Sequence, residues 1–129
     1  MIRIRRLRLA ARRAGTTAIE TAIVLPVVLL FIVGLMEFGR AIWIQATLDY
    51  AVESAARCAA INTTQCATAS QTQAYAVGKA AGLTLATSVF TLTTQTCGAQ
   101  VSASLPFQFV VPILFPYAIT LTAAACYPT

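Results

Sequence analysis

Ala22 to Met36 reads AIVLPVVLLFIVGLM, fifteen residues without a charge. Extended back to Thr16, the stretch is twenty-one residues with one charge, Glu20. A membrane-spanning helix needs roughly 20 predominantly apolar residues at a rise of about 1.5 Å each. The run is long enough to span over residues 18–38, with Glu20 near its edge. Arg3, Arg5, Arg6, Arg8, Arg12 and Arg13 precede it. That basic flank places the N-terminus in the cytoplasm and everything beyond about Met36 outside, in the periplasm or its equivalent. A cleaved secretory signal would be followed closely by small residues at a cleavage site. Glu37-Phe38-Gly39-Arg40 follows instead, and the apolar pattern continues past it. Pro26 removes a backbone donor and frees the carbonyl of Ala22, so a kink or a melted turn is expected near 22–26.

The composition excludes several classes of function. The chain has 129 residues, 58% of them hydrophobic and 10% charged. That length allows one domain at most. There is no histidine, and the acids are Glu20, Glu37, Asp49 and Glu53. A histidine-based triad, a His-ligated zinc site and a paired-carboxylate hydrolase therefore lack their parts. Lys79 is the only lysine, and no nucleophile motif surrounds it. The net charge of +5 belongs to the leader, because after Gly15 only Arg40, Arg57 and Lys79 stand against the four acids. The leader carries no aromatic residue for stacking on bases and runs straight into the apolar segment. It reads as a membrane flank rather than a nucleic-acid arm. The expectation is a membrane-anchored protein that is not an enzyme, with a lipid bilayer as partner, no nucleic acid, no metal and no cofactor.

Beyond the span, Ala41, Ile44, Leu48, Val52, Ala55 and Ala59 recur at helical spacing, which predicts one long helix over 16–59 with a single apolar stripe. Glu37 with Arg40 and Glu53 with Arg57 have the spacing of ion pairs on a solvated helix surface. Ile61 to Ala69 reads as a loop, and its Asn62-Thr63-Thr64 sequon carries little weight. Gln71 to Ala81 reads as a short helix ended by Gly82. Alternation of apolar residues with Thr and Ser then predicts three strands, near 87–95, 99–107 and 118–126. Between the last two lies PFQFVVPILFP, with Pro106, Pro112 and Pro116. That connection is unusually apolar, as a surface facing a partner or a membrane would be. The expected fold class is α+β. A basic leader over 1–15 precedes the long helix, and a small periplasmic head over 60–129 holds a short helix and a roughly three-stranded antiparallel sheet.

Cys58, Cys66, Cys97 and Cys126 all lie beyond the span, where the compartment should be oxidising. No C-x-x-C occurs, so redox and zinc motifs are weak, and three disulfide connectivities are open. Proximity favours Cys58–Cys66, which leaves Cys97–Cys126 opposite each other across a hairpin. The alternation sets Cys97 with Val101 and Leu105, and Cys126 with Thr120 and Thr122, so a bulge or slipped register is expected between them.

Arg12-Arg13-Ala14-Gly15, Thr16-Thr17-Ala18-Ile19-Glu20 and the apolar span together resemble the processing site of type IV prepilins. In those proteins a basic leader ends in Gly, and Glu is the fifth residue after the cut. The longer stretch AIETAIVLPVVLLFIVGLMEFGRAIW, Ala18 to Trp43, is similar to the TadE-like family of tight-adherence pilus assembly proteins, with Leu-Pro in the apolar run and then Glu37-Phe38-Gly39-Arg40. Thr21 stands where an aromatic is usual, which sets the chain apart from major pilins more than from pseudopilins. The resemblance implies a pilin-like fold and a cut between Gly15 and Thr16 by a membrane-embedded prepilin peptidase. It implies a role for Glu20 in assembly, pairing with the freed amine of a neighbour. The implied partners are other pseudopilins or pilins and the inner-membrane pilus platform. The implied function is that of a minor pilin or pseudopilin. The alternative from a different class is a single-pass, membrane-anchored periplasmic binding module that is never processed.

Overall fold

The structure, a computed structural model, describes residues 2–112 and 117–129, with the backbone alone over 2–16. The architecture is α+β. Helix α1 covers Ile2–Ile61 and α2 covers Ala69–Lys79, followed by strands β1 (Phe90–Gln95), β2 (Gly98–Phe107) and β3 (Ile119–Tyr127). The chain divides into two compact units, Met1–Phe38 and Gly39–Thr129.

The first unit is helical. Helix α1 begins at Ile2 rather than near residue 16, so the leader backbone is helical too. Its Arg, Leu and Ala are strong helix formers, and one Gly costs only about 1 kcal/mol. Pro26 lies inside the helix without breaking it, so no melted turn is present. From Ile19 to Met36 nearly every large apolar side chain is exposed. Helix Thr17–Ile61 is long and apolar enough to cross a membrane.

In the second unit, α1 turns one stripe inward. Ile44, Leu48, Ala51, Val52, Ala55 and Ala56 are buried in a core shared with Ala76 and Ala80 of α2. The sheet supplies the other wall. Its strands form an antiparallel meander of order β1-β2-β3. Phe90 pairs with Ala103, Leu92 with Val101, and Ala103 in turn with Ala123. Alternation puts Phe90, Val101, Ala103, Phe107 and Ala123 in the core, while Thr91, Thr93, Ser104, Thr120 and Thr122 stay exposed. Burying a Leu or Phe side chain contributes roughly 1.5–3 kcal/mol. The several such residues here give the small unit a real core.

The elements differ from the sequence reading at their edges. Helix α2 starts two residues early because Thr68 caps it. The Thr68 hydroxyl accepts from Gln71 N, and the Gln71 side chain accepts from Thr68 N, a reciprocal capping box. The first strand begins at Phe90, and Thr87–Val89 form a 3₁₀ turn. Cys97 belongs to no strand. It sits in the two-residue turn closed by the Gln95–Gly98 pair. Strand alternation therefore does not fix its face, and no bulge is needed. Gly98, at φ +119°, continues from that turn, and a Cβ there would lie 2.2 Å from the carbonyl oxygen of Tyr127. The apolar PFQFVVPILFP connection is partly absorbed, since Phe107 is buried in β2 and Phe109 meets its ring edge-on at 5.0 Å. Residues 113–116, Pro116 of that connection among them, lie outside the described residues.

Candidate processing and assembly site

Residues at i, i+3, i+4, i+7, i+8 and i+11 share a helix face. Thr17, Glu20, Thr21, Val24, Leu25 and Val28 follow that spacing and line a shallow hollow of about 380 Å³ in the first unit. Glu20 is exposed at one end of it, and the apolar residues form the rest. The Thr21 hydroxyl donates to the carbonyl of Thr17 at 2.9 Å, so it finds its acceptor within its own helix. The arrangement offers an exposed carboxylate beside exposed apolar side chains on one helix face.

Gly15 and Thr16 lie in the same helix, one turn and a half before Glu20. Their side chains lie outside the described residues. With the leader attached, Glu20 is therefore an interior helix residue, not a member of the first turn.

The structure pairs Cys58 with Cys66 and Cys97 with Cys126, at Cα separations of 5.8 and 6.2 Å. The first disulfide closes the loop after α1, and Asn62 organises that loop. Its Oδ1 accepts from Thr64 N at 3.1 Å and Gln65 N at 3.0 Å. Its own N–H donates to Cys58 O at 2.8 Å, so it is a structural hinge of the chain rather than a free sequon asparagine. The second disulfide ties the β1–β2 turn to the end of β3.

Arg40 and Glu37 are not a solvated pair. Glu37 is buried, at 5% exposure. Arg40 places its guanidinium 4.4 Å above the Phe107 ring and donates to the carbonyl of Gln108. The spacing rule found the two residues and missed where Arg40 lies, because its partner comes from 68 positions away. Glu53 and Arg57 are exposed as expected.

Two glutamines escaped the sequence reading. Gln45 Nε2 of α1 donates to Thr122 O of β3 at 2.9 Å, and Gln73 Nε2 of α2 donates to Phe90 O of β1 at 2.9 Å. Each caps a carbonyl on an edge strand, where the sheet would otherwise offer unpaired groups. A lone glutamine on a helix gives no sequence signal of this kind. The capping box at Thr68-x-x-Gln71 did have a readable signature.

A second cleft of about 380 Å³ lies between the end of α1 and α2, lined by Tyr50, Arg57, Tyr75 and Lys79 among others. Lys79 sits 5.1 Å from the Tyr75 ring. Among the described residues, no group of three or more His, Cys, Asp or Glu could hold a metal ion.

An apolar N-terminal helix of this length, followed by a small disulfide-bonded α+β unit, is compatible with a single-pass membrane protein. The family model described as TadE-like protein matches residues 15–57 of the chain. The matched segment is therefore TadE-like. It begins at Gly15, takes in Glu20 and Glu37 to Arg40, and stops before the first disulfide and the sheet. No curated protein and no solved structure matches the chain.

Proposed function

We propose that this protein is a minor pilin or pseudopilin acting in the assembly of a tight-adherence pilus, with the adhesion and surface attachment that follow from it. It is inserted once in the bacterial inner membrane, N-terminus in the cytoplasm and residues after the span in the periplasm. It is a substrate of the prepilin peptidase rather than an enzyme itself. Its further partners are another pseudopilin or pilin and the inner-membrane pilus platform. The observation that carries this reading is the coincidence of a basic leader, Gly15 at the start of the TadE-like segment, and Glu20 five residues later on the same helix face as Val24, Leu25 and Val28.

The helix gives cleavage a physical consequence. While the leader is attached, Glu20 is several turns inside α1. Cutting after Gly15 makes Thr16 the new N-terminus and moves Glu20 into the second turn. There it stands closer to the positive end of the helix dipole than with the leader attached, just past the first turn where that field is strongest. A charge at the edge of hydrocarbon is costly unless paired. The freed amine of a neighbouring chain is a partner of the right sign, and Val24, Leu25 and Val28 are the apolar surface against which it would be held.

N-terminal sequencing of the mature protein tests the cut. The expected result is Thr16 at the N-terminus, with Gly15→Leu blocking processing. An intact Met1 end in assembled protein would overturn the reading and favour the unprocessed anchored module. For the pairing, Glu20→Ala should abolish surface piliation while processing persists on a blot. Glu20→Asp should restore it in part, since its side chain reaches less far. Normal piliation with Glu20→Ala would remove the pairing role.

A further inference from the structure

After Arg40 the chain has two cationic residues, Arg57 and Lys79, and both line the cleft between the end of α1 and α2. They reach it from different elements. Tyr50, Ser54 and Arg57 share a face of α1, and Tyr75 and Lys79 stand one turn apart on α2. Neither cation is neutralised. Glu53 stands one turn before Arg57, yet the two form no ion pair, and Asp49 is engaged by Gln45 at 3.2 Å. Among the described residues no carboxylate lines the cleft. The Lys79 ammonium lies 5.1 Å from the centre of the Tyr75 ring, a cation–π contact that holds it in place without cancelling its charge. Neutral donors are idle there too. The hydroxyls of Tyr50, Ser54 and Tyr75 and the side-chain nitrogen of Gln65 have no hydrogen-bond partner among the described residues. The wall beside them is fixed, because the Cys58–Cys66 disulfide closes the loop and Asn62 binds two of its backbone N–H groups.

We infer that this cleft binds an acidic saccharide, a hexuronate unit whose carboxylate is held by Arg57 and Lys79 and whose hydroxyls bond to Ser54, Gln65 and the two tyrosines. The cleft has about 380 Å³, within the range of small-molecule sites, roughly 300–1,000 Å³. The arginine fork presents two parallel donors to a carboxylate, and the lysine adds a point charge. Tyr50, 58% exposed, supplies a ring whose negative face attracts the C–H side of a pyranose. The mixture of groups selects the ligand. A simple anion, or a peptide carboxylate on its methylene stem, uses the two cations and leaves the neutral donors unpaired. One acid group among several hydroxyls uses both sets. The site is separate from Gly15 and Glu20, so it stands whether or not the chain is processed.

The test is a heteronuclear NMR titration of the full-length chain in a polyoxyethylene detergent, which carries no sugar to compete. The probes are trigalacturonate, its methyl ester and hexaglutamate. Trigalacturonate should shift the resonances of Ser54, Arg57, Gln65 and Lys79, and its binding should weaken as salt is added. The methyl ester keeps the hydroxyls and loses the charge, and should bind at least about tenfold more weakly, as should trigalacturonate to Arg57→Gln or Lys79→Gln, since each loses a charge-assisted hydrogen bond. Tyr50→Ala should weaken binding about threefold to tenfold through the lost ring. Glu53→Gln, beside the cleft but not lining it, should not weaken it. Amide spectra that otherwise overlay the parent's show that each variant is folded. Absence of shifts with trigalacturonate, shifts outside the cleft, or equal binding of the methyl ester would overturn the inference. Binding of hexaglutamate as tight as that of trigalacturonate would assign the cleft to an acidic peptide and reject the saccharide.

Discussion

Leu29 and Leu48 are leucines on one helix, and their surroundings have nothing in common. Leu29 is 52% exposed and Leu48 is fully buried. Around Leu29 the helix is apolar on every side, from Ile19 to Met36. Around Leu48 only one stripe is apolar, and Asp49, Tyr50 and Glu53 face outward. Composition decides the difference. A helix apolar all round has no side to offer water and must have lipid or protein about it, whereas a striped helix needs a cover for one face. The sheet and α2 are that cover. On the membrane reading proposed above, α1 serves two solvents in succession, and the change is written in the loss of all-round hydrophobicity after Phe38.

The sharpest way to break this comparison is to truncate both leucines. Leu48→Ala opens a hole among Ala51, Val52 and the sheet face, and should destabilise residues 39–129 by about 2–5 kcal/mol. Leu29→Ala should leave the thermal melting of that unit unchanged, because Leu29 is not part of its core. Melting followed by circular dichroism in detergent checks both. Equal destabilisation by the two would mean that the segments share one core. A charge reverses the roles. Leu29→Arg should prevent stable membrane insertion, at a cost of roughly 2.5–3.5 kcal/mol near the span centre, as read by carbonate extraction.

The disulfides sharpen the comparison next, since both fall in the second unit. Removing Cys97–Cys126 as a Cys97→Ala, Cys126→Ala pair should cost roughly 2–4 kcal/mol. Removing Cys58–Cys66 should cost less, because its sequence separation is 8 rather than 29 and it restrains the unfolded chain less. Neither should alter insertion of the span. Urea midpoints of the two variants give the order, and a larger loss for the Cys58–Cys66 pair would show that native-state contacts around Asn62 outweigh chain entropy.

Gly98→Ala should follow with a loss of about 1–3 kcal/mol, from a strained positive φ and a Cβ driven against the Tyr127 carbonyl. Non-reducing peptide mapping should also show slower closure of the neighbouring Cys97–Cys126 bond. Gly78→Ala, where a Cβ meets open space, is the contrasting substitution and should be neutral or slightly stabilising.

How much of this could be read from the chain follows from the range of each effect. The long apolar helix, the stripe from Ile44 to Ala55 and the alternation at Val101 and Ala103 are local periodicities, and the structure reproduces them, whereas Ile119 at the start of β3 stays exposed. The alternation set Cys97 on a strand face, but a two-residue turn has no such face, so the expected bulge vanishes. The seat of Arg40 over Phe107 was illegible, because nothing near residue 40 announces a ring arriving from residue 107. At the candidate site, Gly15 and Glu20 stand out only through the resemblance to prepilin processing sites. The groove of Thr17, Thr21, Val24, Leu25 and Val28 beside Glu20 follows from the helical repeat once the helix is granted.

The smallest expected effect lies in the capping box, and it separates the two regions by mechanism. α2 has eleven residues, and an isolated helix shorter than about 12–15 residues is marginal in water. It persists because Thr72, Ala76 and Ala80 are buried and because Thr68 and Gln71 satisfy each other's backbone N–H groups. Thr68→Ala should cost about 1 kcal/mol, within the range for loss of a helix cap. Gln71→Ala removes the other arm. Since each side chain supports the same turn, the double substitution should cost less than the two singles added, which a double-mutant cycle on urea midpoints measures. On the membrane reading the corresponding question does not arise in the apolar part of α1, because lipid forces every backbone group to bond within the helix. Thr21→Ala there removes only a hydroxyl already returned to the Thr17 carbonyl, and should change neither insertion nor melting of the second unit. Additive losses at 68 and 71 would mean that the two arms act separately and that packing of Thr72 and Ala76, not the cap, sets where α2 begins.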